Sequence, residues 1–141
     1  MIDAVVVTLW CLATVLVLNA AVSRYWTHVE ETAALPPYLL RALDSPTKAF
    51  LVGMVSGATE NLIFFGGAQL LSALLGSDPL LTTFAAAAAW VLLHGHPPRM
   101  LVALPMAIAF SYDWLTGNWI VAVAAHALYD ALALYTLSRY V

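Results

Sequence analysis

Trp119-Ile-Val-Ala-Val-Ala-Ala-His126-Ala-Leu-Tyr-Asp130-Ala-Leu-Ala-Leu-Tyr-Thr-Leu137 is a predominantly apolar run that carries one imidazole and one carboxylate. About 20 apolar residues make a helix long enough to cross the hydrocarbon core of a bilayer. Ionisable side chains are costly there and mark functional sites by default. The segment therefore reads as a membrane span with chemistry inside it.

Working outward, Thr116-Gly-Asn118 is the turn before this helix, and a further span is expected over about Met100 to Leu115, with Pro105 as a candidate kink. His96-Pro-Pro-Arg99 closes another span, Leu80 to His94, whose Ala85 to Ala89 form a small-residue face. Gly76-Ser-Asp-Pro79 is a turn and restart signal. The span before it, Lys48 to Leu75, is long enough to tilt or bend. It carries Gly53-x-x-x-Gly57, a spacing that lets helices approach closely in lipid. The first span is Ala4 to Val22. Three segments result: 1–22, a polar stretch 23–47 broken by Pro36-Pro37 with a short interfacial helix over Tyr38 to Leu43, and a four-helix core over 48–137. The fold expected is an all-α, multi-pass transmembrane helical bundle of about five spans.

The composition agrees. Of 141 residues, 63% are hydrophobic and 9% charged, with a mean hydropathy of +0.89. Soluble domains are about 45–50% apolar and about 25% charged, and lipid is the solvent in which this excess makes sense, because helices satisfy their own backbone groups there. Five Lys plus Arg leave no basic stripe, which excludes nucleic acid as a partner. The single cysteine, Cys11, excludes an internal disulfide. Met1 to Val22 lacks a basic lead and a small-residue cleavage site, so it is expected to stay as an anchor. With five spans, Arg24, Arg41, Lys48, Arg99 and Arg139 all fall on one side. Positive residues stay cytoplasmic. The expected placement is the cell membrane, N-terminus outside and C-terminus inside.

Four ionisable residues lie within the spans: Glu60, His94, His126 and Asp130. Glu60 follows Lys48 by 12 residues, which puts it ~18 Å below the inner surface. His126 precedes Arg139 by 13 residues, or ~19 Å. Asp130 shares its helix face. His94 is five residues from Arg99, roughly 8 Å deep. All four fall in the cytoplasmic half, where one cavity can collect them. Asp113, beside Trp114 near the outer boundary, reads as a solvated end residue. His28, Glu30, Glu31 and His96 read as loop residues. Two imidazoles and two carboxylates also make a set able to hold zinc.

The order and spacing of these residues resemble the CPBP intramembrane proteases, which include CAAX prenyl endopeptidases and bacteriocin-processing proteins. That family shows Glu-Glu-x-x-x-Arg, then Phe-x-x-x-His, then His-x-x-x-Asn or Asp. His126-Ala-Leu-Tyr-Asp130 matches the last. Trp90-Val-Leu-Leu-His94 resembles the second, with Trp for Phe. Glu60-Asn-Leu-Ile-Phe-Phe65-Gly66 keeps the first Glu, with Asn61 and Phe65 in place of Glu and Arg. The resemblance covers about Lys48 to Leu137.

It implies peptide hydrolysis on a membrane-associated or lipidated peptide, with lipid as the surroundings. Glu60 is the implied general base, with His94 helping to hold the water and His126 donating to the oxyanion. Asp130 is the implied partner of His126, with Asn61 and Trp90 in supporting positions. Zinc at Glu60, His94, His126 and Asp130, or no cofactor, both stay open, as do the substrate, the oligomeric state and the role of the first span. The alternative is an inactive relative that serves as a membrane adaptor or immunity protein, suggested by Asn61 and Phe65. A rhomboid serine site is excluded because Met54-Val-Ser56-Gly57 lacks the first glycine of Gly-x-Ser-Gly. Tyr112-Asp113 and Tyr129-Asp130 occur without the Gly-x-Gly-Asp of intramembrane aspartyl proteases. The absence of a repeat argues against an inverted-repeat transporter.

Overall fold

Ser45-Pro46 and Asp78-Pro79 start helices in the same way. The polar side chain accepts a backbone N–H of the first turn, Lys48 N at 3.5 Å and Leu80 N at 2.8 Å. Proline follows where its missing N–H costs nothing. Gly76 ends one helix at φ +63°, and Gly117 turns the chain at φ +75° between the last two, a backbone region that favours glycine.

The computed structural model describes residues 2–22, 37–95 and 97–139. Helices run in the order α1 (Ile2–Val22), α2 (Pro37–Leu40), α3 (Pro46–Asn61), a π-helical turn (Leu62–Gly66), α4 (Gly67–Leu75), α5 (Pro79–Leu93), α6 (Pro97–Leu115) and α7 (Trp119–Leu137). There is no strand among the described residues. Arg24, His28, Glu30, Glu31 and His96 lie outside them.

The five long helical segments expected from the sequence are all present, and the protein is an all-α membrane helical bundle. Ile2–Ala21, Pro46–Leu75 and Trp119–Leu137 are long and apolar enough to cross a membrane. The second runs 30 residues through α3, the π turn and α4. α5, with 15 residues, is ~22 Å long, short of the ~30 Å hydrocarbon core. α6 has 19 residues but carries Pro97, Pro98, Arg99, Pro105 and Asp113. It stays helical across Pro105.

Two contacts organise the bundle. α3 and α7 meet backbone to backbone at Gly53 and Gly57. A Cβ on Gly57 would lie 2.6 Å from the carbonyl oxygen of His126, and one on Gly53 2.5 Å from that of Asp130. The glycines thus do more than pack: they bring α3 against α7 at the two residues of the His-x-x-x-Asp pattern. On the other side, α1 packs along α6 and α7. Thr8 donates to Asp113 at 2.8 Å, Asn19 donates to the Tyr129 hydroxyl at 3.1 Å, and Val15 is fully buried against the core.

Asp113 corrects the sequence reading. It is 0% exposed, not a solvated helix end. α1 covers it, and the Thr8 hydroxyl supplies the hydrogen bond that water would otherwise give.

Candidate active site

Glu60 sits one residue before the end of α3, where the helix passes into the π turn. A π turn inserts an extra residue into the helix and is frequent at functional sites. This one follows Glu60-Asn61, and Phe65 within it is fully buried.

Both carboxylate oxygens of Glu60 accept from neutral donors, Oε1 from Ser56 at 3.1 Å and Oε2 from the Trp90 indole at 3.2 Å. His126 Nε2 faces two carboxylates, Glu60 Oε2 at 4.0 Å and Asp130 Oδ2 at 3.7 Å. The His126–Asp130 approach follows from their spacing of one helical turn. His126 is 2% exposed, whereas Glu60 and Asp130 keep 36% and 23% of their side chains open. The imidazole is thus at the back of the site and the acids at its mouth.

Aromatic rings hold the imidazole in place. His126 stacks on Phe110 at 4.8 Å and meets Trp90 edge-on at 5.0 Å. Its Nδ1 has no hydrogen-bond partner among the described residues. The rings, rather than a polar tether at Nδ1, set its orientation.

His94 caps α5. Its Nδ1 lies 2.9 Å from the Trp90 carbonyl oxygen. A carbonyl only accepts, so Nδ1 is the protonated nitrogen, and Nε2 of the neutral ring is left as an acceptor.

The structure therefore brings Glu60, His126 and Asp130 into one cluster, with ligand atoms all within 4.8 Å of one another. His94 stands outside this set and faces the same Trp90 ring at 4.7 Å. Asn61, fully buried, accepts from the Trp114 indole at 2.7 Å and donates to the Ala122 carbonyl at 3.5 Å. It ties α3 to α6 and α7 beside Glu60.

Sequence reasoning missed Ser56, Phe110 and Trp114. Ser56 was legible, being one helical turn before Glu60. Phe110 and Trp114 carried no local signal, because their partners are far away in the chain.

Residues 42–132 match the family described as Type II CAAX prenyl endopeptidase Rce1-like. The chain belongs to this family. The CPBP resemblance drawn from the three motifs holds, and the chain is a membrane protein of a CAAX-type intramembrane protease family. The matched span contains Glu60, His94, His126 and Asp130 and leaves α1 outside. No curated protein and no solved structure matches the chain.

Proposed function

We propose that the protein is an intramembrane endopeptidase that hydrolyses a peptide bond of a lipidated, membrane-associated substrate. The observation that carries this reading is the approach of Glu60 Oε2 to His126 Nε2, 4.0 Å, at an open edge of the bundle. A shallow groove of about 560 Å³ along the flank of α3 and the π turn is lined by Glu60 together with Leu51, Val52, Val55, Ser56, Thr59 and Ile63. Its apolar wall suits a lipid-borne chain, and the family's description as prenyl endopeptidases supports a prenylated CAAX peptide.

In the reaction, Glu60 takes a proton from water, and the water oxygen bonds to the scissile carbonyl carbon. General-base help of this kind is worth about 10²–10⁴-fold. His94 accepts a hydrogen bond from that water through Nε2. His126 donates to the oxyanion of the tetrahedral intermediate. The proton held by Glu60 passes to the leaving amine nitrogen as the C–N bond breaks. Asp130 flanks His126 Nε2 from one turn away at 3.7 Å, while the Phe110 and Trp90 rings hold the imidazole in place.

A metal-assisted version draws on the same geometry. Glu60, His126 and Asp130 offer two carboxylates and an imidazole, a donor set that suits zinc. When bound, zinc supplies Lewis-acid polarisation of a carbonyl or of water. Metal content of the purified protein, measured alongside cleavage with and without chelator, separates the versions. Stoichiometric zinc required for cleavage replaces the metal-free reading.

The placement that goes with this function is the cell membrane, with the N-terminus outside, the C-terminus cytoplasmic and the groove open to the inner half. Reconstitution in liposomes with a farnesylated CAAX peptide and its unlipidated counterpart tests the proposal. Cleavage of the lipidated peptide that falls by at least about 10²-fold in Glu60→Ala is expected. Full activity in that variant ends the mechanism. If the native chain cleaves nothing and Asn61→Glu with Phe65→Arg restores cleavage, the chain is an inactive adaptor.

A further inference from the structure

Trp90 touches Glu60, His94 and His126 with different parts of one residue. Its indole Nε1 donates to Glu60 Oε2 at 3.2 Å. Its ring lies edge-on to the His94 ring at 4.7 Å and to the His126 ring at 5.0 Å. Its backbone carbonyl faces His94 Nδ1 at 2.9 Å. The side chain is 4% exposed, with Phe65 and Phe110 against it at 6.2 and 5.8 Å.

We propose that Trp90 is the positioning residue of this site. One rigid side chain aims the Glu60 carboxylate and spaces the two imidazoles around it. The same residue's carbonyl fixes the proton of His94 on Nδ1. The catalytic consequence rests on the protease reading above; the contact itself rests on geometry alone.

An indole has one N–H and no acceptor, and when buried it needs a partner. Glu60 Oε2 is that partner. Ser56, the donor to the other oxygen, has a hydroxyl that rotates and sits on the same helix as Glu60. It cannot register α3 against α5. Trp90 can, because it reaches across from α5. A phenylalanine at 90 would keep much of the ring packing and leave Glu60 Oε2 without this donor. The π turn serves the same end, since Phe65 lies within it and packs on both Trp90 and Phe110.

Two measurements on the full chain in lipid nanodiscs test this. The first labels the indole nitrogens of the five tryptophans with nitrogen-15 and identifies the Trp90 signal as the one lost in Trp90→Phe. Glu60→Ala is expected to displace that signal further than any of the other four. The second compares Trp90→Phe with the native protein in peptide cleavage, per folded molecule. Loss of a hydrogen bond to a charged group is expected to lower kcat about tenfold. KM stays unchanged, because Trp90 does not line the groove. A merely structural role lowers stability and leaves both constants of the folded fraction in place. An unmoved indole signal, or a Trp90→Phe protein with native kcat, overturns the proposal. If the native chain cleaves nothing, the protease reading falls. The indole signal then decides alone: displacement upholds the positioning contact, and its absence refutes it.

Discussion

This bundle places acids between apolar helices in two regions, and the regions differ in access and in company. Asp113 on α6 is sealed at 0% exposure, with the Thr8 hydroxyl on one oxygen and no hydrogen-bond partner for the other among the described residues. Glu60 and Asp130 keep 36% and 23% of their side chains open and share the flank of one imidazole. The first arrangement joins helices. The second can admit water and a substrate. An acid within an apolar segment is thus a candidate by its cost alone, and what decides its role is whether a reactant can reach it beside a second titratable group.

The harshest way to break the open region leaves all of its chemical groups in place. Gly57→Leu puts a side chain where a Cβ already lies 2.6 Å from the His126 carbonyl oxygen. Backbone on both sides cannot yield as a flexible side chain would, so α3 and α7 must separate. Overpacking of this kind costs about 1–3 kcal/mol, and the Glu60–His126 approach goes with it. Cleavage is expected to be lost, and the melting temperature in detergent to fall. Native cleavage by Gly57→Leu would mean that the close helix approach does not build the site.

A milder change tests the sealed region. Thr8→Val removes the donor to Asp113 Oδ2 while keeping nearly the same volume. Stranding a buried polar group costs about 1–3 kcal/mol, although hydrogen bonds between membrane helices average only about 0.6 kcal/mol. Asp113 is fully buried, so the loss belongs above that average, at about 1 kcal/mol. Thermal melting should register it, with cleavage per folded molecule unchanged. Asp113→Asn keeps an acceptor for Thr8 and should cost less. A drop in cleavage without a drop in stability would move Asp113 into the chemistry and erase the contrast.

The same contrast explains what was legible in the sequence. Helix starts at Ser45-Pro46 and Asp78-Pro79 are local signals, so the segment boundaries follow from neighbouring residues. His126 and Asp130 meet because four residues make about one turn, and depth arithmetic put Glu60 at their level. The sealed acid was misread because its burial depends on α1, 105 residues earlier along the chain at Thr8. The Trp114–Asn61 bond joins residues 53 apart and is equally silent in any window of sequence. The π turn left only an expectation that the long second span tilts or bends. Nothing in Leu62 to Gly66 sets it apart locally: its first and last residues, Leu62 and Gly66, both have φ −65°, as in an ordinary α-helix.

The smallest expected effect bears on the boundary between the two regions. Asn19 on α1 donates to the Tyr129 hydroxyl at 3.1 Å, and Tyr129 lies between His126 and Asp130 on α7. The contact is partly buried and joins two neutral groups, so Asn19→Ala should cost about 0.6 kcal/mol and lower the melting temperature slightly. Cleavage should hold, because the rings of Phe110 and Trp90, rather than Tyr129, set the orientation of His126. The decisive quantity is the ratio of the two effects. If cleavage falls further than stability does, α1 reaches the imidazole through Tyr129, and the helix outside the family match belongs to the open region as well as to the sealed one.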